Sequence, residues 1–429
     1  MPRAAQAAAS ALASVVPPRI RICGGETGDM AGKGPWLTIV GIGEDGPAGL
    51  SAASRAAIDA AEIVVGAPRH LDLLPDIACP VEAWPVPFAA GIAPLLARRG
   101  QRVVMLASGD PFWFGAGSVI ARHLSPEEWT AHPAPSTFAL AAARCGWPLE
   151  DVICLGLHAA PCARIRPHLA PGVRIVGLVR DGDAARTLAA YVAAQGFGES
   201  AVTILEALGG PRERIRHARA ATLDFADIAH PVAVAVEVAG TGGVVTVTQG
   251  IADDWFDHDG QITKRPVRAL ALSALAPRHG ETLWDIGTGS GSIAIEWLLA
   301  HPSTRAVAFE RDPVRAARAR ANAAALGVER LTVVEGEASA IAHDGPAPQA
   351  VFVGGGLSAA LLDHLSATLP AGTRIVAHAV TLESETLLAQ WHATHGGDLL
   401  RIELAEAQPL GTRRGWRAAY PVVQWRAVL

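Results

Sequence analysis

Short apolar runs alternate with stretches of helical spacing along most of this chain. In the second half, apolar runs occupy residues 283–286, 306–309, 331–334, 350–353 and 374–379, with helical stretches between them. The first half repeats the alternation, with apolar runs at 36–43, 63–66, 102–106, 152–155, 173–179, 202–205 and 231–238. Buried strands separated by helices are typical of parallel sheets built from βαβ units. The pattern therefore predicts an α/β chain.

Changes in composition divide these predicted elements into domains. Residues 1–34 are rich in Ala, Gly and Pro and are predicted to form a disordered extension, with Met30 as an alternative start. Residues 35–240 should form a first domain with a second, small α/β lobe, followed by a glycine-rich hinge at 241–243. A second domain is expected at 246–429. Its predicted helices are 293–299, 313–326, 358–369 and 383–395, and two long strands at 399–405 and 416–425 close its sheet.

One strand of the second domain ends in a glycine-rich turn that is typical of cofactor binding. It reads Leu283-Trp284-Asp285-Ile286-Gly287-Thr288-Gly289-Ser290-Gly291-Ser292. Dinucleotides and S-adenosylmethionine both use such turns, but a dinucleotide fingerprint has G-x-G-x-x-G spacing and an acid about 20 residues further on. Here the spacing is G-x-G-x-G, and Asp285 precedes the glycines. Glu310 ends the next apolar run, where an acid can accept hydrogen bonds from ribose hydroxyls. These features favour S-adenosylmethionine; a turn that only packs a helix on a strand is the alternative.

Further candidate contacts lie where other predicted strands end, because ligands of open α/β sheets gather at the carboxyl ends of the strands. In the second domain, adenine is expected beside Glu337 and Ala338, and Gly354 follows the fourth strand. In the first domain, the turns at Gly41 and Ser108 are expected to face one site.

Two polar stretches of the first domain each allow two interpretations. Ser136 or Thr137 would make a good N-cap for the helix that follows, and cofactor contact is the alternative. The second stretch is a basic cluster at Arg212, Arg214, Arg216 and Arg219. A solvated face is the usual explanation for such a cluster, and binding of a polycarboxylate substrate is the other.

Composition narrows the classes of function. Half of the 429 residues are apolar and 18% are charged, so large cores can form. The net charge of −5 gives no reason to expect a nucleic-acid partner. The five cysteines include no C-x-x-C pair, which indicates a reducing compartment without a disulfide framework or zinc site. No apolar run approaches the roughly 20 residues that span a bilayer, so a cytoplasmic enzyme without a bound metal is expected.

The first half resembles the tetrapyrrole methylases, which methylate ring carbons of cobalamin and siroheme precursors with S-adenosylmethionine. The matching stretches are Ile39-Val40-Gly41-Ile42-Gly43-Glu44-Asp45, Ser108-Gly109-Asp110-Pro111-Phe112-Trp113-Phe114-Gly115 and Pro135-Ser136-Thr137-Phe138. Many members have G-x-G-P-G-D-P after the first strand. Residues 41–47 depart from this and look like the branch that acts at carbon 5 of the ring. The resemblance implies cofactor contacts at Gly41, Gly43, Ser108, Gly109, Asp110, Trp113, Ser136 and Thr137, while the departure puts Glu44 in doubt.

The second half resembles the decarboxylating precorrin methyltransferases. The matching stretches are Thr248-Gln249-Gly250-Ile251-Ala252-Asp253-Asp254-Trp255-Phe256 and Ile262-Thr263-Lys264-Arg265-Pro266-Val267-Arg268-Ala269-Leu270, which lead into the glycine turn. The implied architecture is a two-lobed tetrapyrrole methylase fold followed by a class-I Rossmann-like S-adenosylmethionine methyltransferase fold. The order of the two halves is similar to that of the fused, bifunctional methyltransferases of cobalamin synthesis.

The combined resemblance implies a function. The first domain would methylate carbon 5 of a precorrin (precorrin-6B), and the second would methylate carbon 15 and decarboxylate the ring C acetate, giving precorrin-8X. Two S-adenosylmethionine sites and a homo-oligomer, either dimer or tetramer, are expected. Thr263 and Lys264 are the candidate catalytic residues, placed in a lid upstream of the cofactor turn. Candidate holders of substrate carboxylates are Arg268, Arg413 and Arg414, and a solvated turn is the alternative for the last two.

Several rival functions fit the sequence less well. An NAD-dependent dehydrogenase has the wrong glycine spacing. A methyltransferase acting on RNA or protein conflicts with the overall acidity and with Gly354-Gly355-Gly356, which stands where an N-P-P-Y type motif would be. A methyltransferase acting on another tetrapyrrole, or a non-catalytic S-adenosylmethionine sensor, stays open.

Overall fold

A computed structural model describes residues 34–336 and 347–429. The first sheet is built from strands β1 (Leu37–Ile42), β2 (Ile63–Gly66), β3 (Val81–Ala83), β4 (Val103–Ser108) and β5 (Trp129–His132). All its pairs are parallel and its order is β3-β2-β4-β1-β5. Its helices are α1 (Ala52–Asp59), α2 (Pro68–Asp72), α3 (Ile92–Leu96) and α4 (Ala116–Ile120).

A second, mixed sheet completes the first domain. After α5 (Thr137–Cys145) come β6 (Val152–Gly156), β7 (Arg174–Val179), α6 (Gly182–Val192), β8 (Ala201–Glu206), β9 (Arg214–Arg219) and β10 (Val232–Glu237). The strand order is β6-β7-β10-β8-β9, in which β6 and β7 are parallel and the other pairs are antiparallel. Apolar clusters cover both faces of each sheet. The two predicted lobes are thus two sheets with separate cores.

The predicted hinge is fastened to the first domain. The amides of Thr241 and Gly242 both donate to the Gly196 carbonyl, at 3.2 and 3.1 Å. The Arg166 guanidinium donates to the Gly243 carbonyl at 2.8 Å. Val245, two residues further on, is already buried in a core of the second domain.

The second domain is a seven-stranded sheet between two layers of helices. Its elements are α7 (Arg265–Leu275), β11 (Thr282–Ile286), α8 (Ser292–Ala300), β12 (Arg305–Glu310), α9 (Pro313–Ala325), β13 (Thr332–Glu335), β14 (Ala350–Val353), α10 (Ala359–Thr368), β15 (Arg374–Ala379), α11 (Leu382–His395), β16 (Asp398–Ile402), β17 (Ala405–Leu410), β18 (Arg413–Ala418) and β19 (Val422–Val428). The sheet order is β13-β12-β11-β14-β15-β19-β16. Helices α7 and α8 pack on one face, and α10 and α11 pack on the other.

The end of the chain differs from the prediction. Two long strands were expected, but the structure has four: β16 and β19 join the sheet, while β17 and β18 pair as a separate hairpin. The hairpin was not predicted because the pattern of polar and apolar residues continues from the neighbouring strands through β17 and β18 without an interruption that marks separate strands. None of the described helices has the length and apolarity needed to cross a membrane.

Candidate functional sites

A cavity of about 990 Å³ lies at the carboxyl ends of the strands in the second domain. Gly287, Thr288, Gly289 and Ser290 all line it, as the glycine turn predicted. Gly287 has φ +70°, and a Cβ there would lie 2.6 Å from the backbone N and Cα of Gly355. Two strand-end loops therefore meet backbone to backbone and form a floor without side chains, against which a ligand can lie.

Asp285 holds this loop with one oxygen and leaves the other without a partner. Its side chain lines the cavity, although the residue is only 1% exposed. Oδ2 accepts hydrogen bonds from the Thr288 hydroxyl at 2.6 Å and the Ala294 amide at 3.1 Å. Oδ1 is buried and has no partner among the described residues. Burial raises the pKa of Asp285 from 3.8 to about 6, against the lowering by its two hydrogen bonds.

Glu310 ties the second strand to the same loop. Its Oε2 accepts from the Gly289 amide at 2.9 Å, and its Oε1 accepts from the Asp312 amide at 3.1 Å. Each carboxylate oxygen can accept a second hydrogen bond, so ribose hydroxyls remain compatible with this arrangement. Ser290 Oγ is also buried without a partner among the described residues. Together with Asp285 Oδ1, it fits a ligand that brings polar groups, such as the ammonium of an aminoacyl cofactor.

The remaining predicted cofactor contacts of this domain divide into three groups. Gly354 lines the cavity. Gly291 does not: it has φ +82°, and a Cβ there would lie 3.1 Å from the Ala319 side chain, so it serves helix packing instead. Glu337 and Ala338 lie outside the described residues.

Thr263 and Lys264 line the cavity directly upstream of α7, as expected for a lid. The Lys264 side chain is 55% exposed, and its Nζ lies 3.9 Å from Asp253 Oδ2. The backbone carbonyl of Thr263 accepts a hydrogen bond from the Arg268 guanidinium. Arg268 therefore fixes the backbone of the segment that carries both residues.

Arg268 does not hold substrate, which corrects the prediction. It is 0% exposed and lies outside the cavity lining. Its guanidinium pairs with the buried Glu296, with Asp253 Oδ1 at 2.9 Å and with the Ile251 carbonyl. Glu296 also accepts from the amides of Gly250 and Ile251. The physical reason is that the guanidinium is fully buried and all three of its nitrogens donate to groups of the protein interior, so it is out of a ligand's reach.

Arg413 and Arg414 are not among the residues that line this cavity either. Both lie on β18, in the exposed hairpin. Three other arginines line the cavity and were missed: Arg311, Arg315 and Arg417. Arg315 pairs with Asp259 at 2.8 Å, whereas Arg311 and Arg417 have no ion-pair partner within the described part of the chain. Arg311 directly follows Glu310 at a strand end, which is a signal that could have been used. The position of Arg417 at the cavity results from the geometry of the β17–β18 hairpin, and no sequence motif indicated it.

A second cavity, of about 610 Å³, lies in the first domain. Most of the predicted contacts line it: Gly43, Ser108, Gly109, Asp110, Trp113, Ser136 and Thr137. Gly41 does not, which corrects that prediction. A Cβ on Gly41 would lie 2.0 Å from the Gly109 carbonyl oxygen and 2.5 Å from the Ala134 nitrogen, so this glycine permits close strand-end packing.

Ser136 combines both interpretations offered for it. Its Oγ accepts from the Ala139 amide at 3.1 Å and caps α5, and its side chain also borders the cavity. The turn at residues 108–115 is shaped locally as well, since Asp110 Oδ1 accepts from the Phe112 amide at 2.8 Å. Thr137 borders the same cavity as the first residue of α5.

Glu44, left in doubt by its motif, is part of a polar network beside this cavity. Both of its oxygens are held by arginines, one by Arg69 and the other by Arg212 at 2.9 Å. Arg69 also donates to the Ser108 hydroxyl at 2.9 Å, and His70 Nε2 lies 2.8 Å from that hydroxyl. Burial and the neighbouring Arg69 charge lower the pKa of His70 from 6.5 to about 4, so His70 is neutral near pH 7.

Within the arginine cluster at 212–219, Arg214 and Arg216 belong to a network of ion pairs, whereas the side chain of Arg212 is 63% exposed. Arg214 and Arg216 both pair with Glu206 and with Asp227. Glu206 is itself buried. A buried carboxylate needs paired cations, and the alternation of β9 places two arginines on the face where Glu206 lies. Arg214 and Arg216 are therefore structural.

The chain is similar to known protein families, to curated sequences and to solved structures. Residues 36–224 match the family described as Tetrapyrrole (Corrin/Porphyrin) Methylases, and residues 254–429 match the family described as Precorrin methyltransferase domain. The chain is 48% identical over 396 residues to a precorrin-6Y C(5,15)-methyltransferase [decarboxylating] of Sinorhizobium sp., covering 91% of this chain and 96% of that protein. It is 39% identical over 396 residues to the protein of that name from Mycobacterium tuberculosis strain H37Rv, covering 91% and 98%. A crystal structure of the C-terminal domain of precorrin-6Y C5,15-methyltransferase from Rhodobacter capsulatus is 53% identical, covers 43% of this chain and all of that one, and has a TM-score of 0.42.

Proposed function

Because the chain belongs to the precorrin-6Y C(5,15)-methyltransferase (decarboxylating) family, we propose that it methylates a precorrin at carbons 5 and 15 and decarboxylates the ring C acetate. The substrate would be precorrin-6B and the product precorrin-8X. S-adenosylmethionine supplies the methyl groups when bound. The observation that carries the proposal is the coexistence of two separate cavities in one chain, each at strand carboxyl ends within a matched family region.

The proposal includes two cofactor sites, one in each domain. In the second domain, Asp285 Oδ1 and Ser290 Oγ are buried polar atoms without a hydrogen-bond partner among the described residues, and Glu310 lies at the end of the neighbouring strand. In the first domain, the turn at Ser108 and Gly109 and the N-terminus of α5 border one cavity. Methyl transfer from a sulfonium needs close, aligned partners more than it needs a protein nucleophile. The second cavity suits that task because Gly287 and Gly355 form a backbone floor, and the turn at Ser108 and Gly109 lines the first cavity.

We further propose that the first domain acts at carbon 5, and that the second acts at carbon 15 and at the acetate. Loss of carbon dioxide leaves an electron pair, for which the conjugated ring is the sink. A partly enclosed cavity favours this step by removing water from the reacting carboxylate. The other carboxylates of the ring must then be held. Three of the cations that line the second cavity suit this role: Lys264, Arg311 and Arg417.

A homo-oligomer remains part of the proposal. The β17–β18 hairpin carries exposed apolar side chains, with Leu410 70% and Trp416 79% exposed. Exposed apolar groups of this size commonly mark protein contacts. Light scattering on the full chain, with Trp416→Ser as the comparison, tests whether the hairpin contributes to assembly.

The function is tested by incubating the full chain with methyl-labelled S-adenosylmethionine and precorrin-6B. We expect two labelled methyl groups per ring and one released carbon dioxide. A product with no label in the ring would leave the sensor as the better explanation. Turnover with another tetrapyrrole but not with precorrin-6B would favour the alternative substrate.

A further inference from the structure

When an acetate side chain is decarboxylated to a methyl group, its methylene carbon must accept a proton. The carbon–carbon bond to the carboxylate breaks, carbon dioxide leaves, and the electron pair delocalises from the methylene carbon into the methylated, cationic ring. The methylene carbon must then take up a proton to become a methyl group. This requirement rests on the proposed function, and it implies a proton-transfer group in the second cavity.

Few side chains that line this cavity can carry that proton. Asp285 and Glu310 bond to the glycine loop, and the free Oδ1 of Asp285 is already assigned to the cofactor in the proposed function. The lysine and arginines are permanent cations near neutral pH. Tyr420 is 90% exposed, so it does not provide an enclosed path. Among the described lining residues, His378 is the one imidazole.

His378 lies near the end of β15 and is held from the neighbouring strand. It is 9% exposed and stands opposite Gln424 in the β15–β19 register. Its Nε2 is 2.9 Å from Oε1 of Gln424, which is itself buried. Phe352 packs edge-on against the ring, with centroids 4.9 Å apart and planes at 86°. The imidazole is therefore fixed in position and orientation at the cavity wall.

The hydrogen bond also selects the tautomer. An amide oxygen can only accept, so Nε2 carries the proton and Nδ1 keeps its lone pair. Within the described part of the chain, Nδ1 has no hydrogen-bond partner. Burial lowers the pKa of His378, which keeps the imidazole neutral in the empty cavity. A neutral imidazole with one free lone pair can take a proton and give it back.

We propose that His378 is a catalytic residue of the decarboxylating half and carries the proton to the methylene carbon. Loss of carbon dioxide first neutralises the cationic ring, because the ring accepts the electron pair. The Nδ1 of His378 then takes a proton from the ring and returns it to the methylene carbon, so both the imidazole and the product ring are neutral at the end. No oxidant, reductant or further reagent is needed. Gln424 acts as a positioning residue, because it determines which nitrogen is available.

The test compares His378→Asn with the full wild-type chain, using precorrin-6B and methyl-labelled S-adenosylmethionine. Asparagine keeps a donor for Gln424 but has no titratable nitrogen. General acid–base groups contribute about 10²–10⁴-fold, so we expect formation of the decarboxylated product to slow by at least about 100-fold. We expect added imidazole to restore part of the rate. Gln424→Leu should lower the rate by about 10-fold, since it frees the tautomer without removing the base.

Three controls separate this inference from a structural effect and from the proposed function. S-adenosylmethionine affinity, by calorimetry, should stay within about twofold of wild type in His378→Asn. Label incorporation at carbon 5 should be unchanged. His364→Asn, on α10 outside the cavity lining, should behave as wild type in every assay. Wild-type decarboxylation by His378→Asn, or a loss without imidazole rescue that parallels a loss of cofactor affinity, would overturn the inference. If the wild-type chain labels no tetrapyrrole, the proposed function itself fails.

Discussion

Replacing Arg268 with methionine distinguishes its observed structural role from the substrate-binding role that the sequence predicted. Methionine has a similar reach and helix propensity but no donors. In the structure, the guanidinium joins Glu296 and Asp253 to the carbonyls of Ile251 and Thr263, in the interior of the domain. The substitution therefore removes the bonds that hold the lid segment to α7 and α8.

The loss of stability in Arg268→Met is set by the buried Glu296 carboxylate, which the substitution leaves without its cation. Glu296 is 3% exposed and loses its cationic partner. Breaking a buried ion pair by removing one partner costs about 3–5 kcal/mol. The amides of Gly250 and Ile251 still donate to Glu296, so we expect about 3 kcal/mol, the lower end. For a domain of this size, about 1 kcal/mol corresponds to roughly 2–4 °C, so its melting temperature should fall by about 6–12 °C.

Differential scanning calorimetry of the full chain without substrate measures this directly. The second-domain transition should move and the first-domain transition should not. The double variant Arg268→Met with Glu296→Gln should recover part of the loss, because the buried charge is then neutralised. If Arg268→Met melts as the wild type does and only the KM for precorrin rises, Arg268 binds substrate and the structural argument is wrong.

Three further predictions concern the two cavities. Burial raises the pKa of Asp285 from 3.8 to about 6, so the folded state favours its protonated form; its contribution to stability is greatest below pH 3.8 and is lost as pH rises through about 6. Asp285→Asn should therefore stabilise the empty second domain at pH 7.5 by up to about 3 kcal/mol, while it weakens S-adenosylmethionine binding. Calorimetry from pH 4 to 7.5 measures both effects. If the stability of the variant depends on pH as that of the wild type does, the reasoning is wrong. Gly287→Ala and Gly41→Ala should each reduce bound S-adenosylmethionine from two per chain to one in equilibrium dialysis, because each Cβ meets backbone within 2.6 Å; two sites retained in both would count against the backbone floors. Arg417→Ala should raise the KM for precorrin by roughly 10-fold, the loss of one charge-assisted contact, with cofactor affinity unchanged; an unchanged KM would remove Arg417 from the substrate site.

The elements of the fold followed from apolar periodicity, because runs buried on both faces leave a strong signal. The strand predicted at 350–353 and the helix expected after Asp312 appear as β14 and α9, the latter capped by Asp312 as its sequence indicated. The closing hairpin was lost because residues 405–418 belong to no core cluster. An exposed hairpin pairs with itself and leaves no apolar face to detect.

The glycine turn was predictable as a site because its signal is local. The role of Arg268 was not, although two signals existed. It falls on the same face of α7 as the buried Ala271, Leu272 and Leu275, and Glu296 is the lone acid of the otherwise apolar α8. A buried acid requires a cation, but which cation reaches it depends on how the helices pack. Pairings between distant residues, such as Glu44 with Arg212, are set by the fold and not by spacing along the chain.

In both domains, a glycine allows two strand-end loops beside the cavity to come into backbone contact, although the two sheets are unrelated. In the first domain, Gly41 brings its strand end against the Gly109 carbonyl, and in the second, Gly287 brings its loop against Gly355. In each case a side chain at the contact would push apart the loops that form the floor. A backbone floor presents fixed amides and carbonyls that need no rearrangement when a polar ligand arrives, which lowers the cost of ordering the site. The side chains above each floor are then free to differ, and they do: arginines hold Glu44 above the first, while the second is lined by His378 and unpaired arginines. Differences in chemistry between the domains therefore belong to these walls, so exchanging wall residues should alter the reaction while each floor continues to bind the same methyl donor.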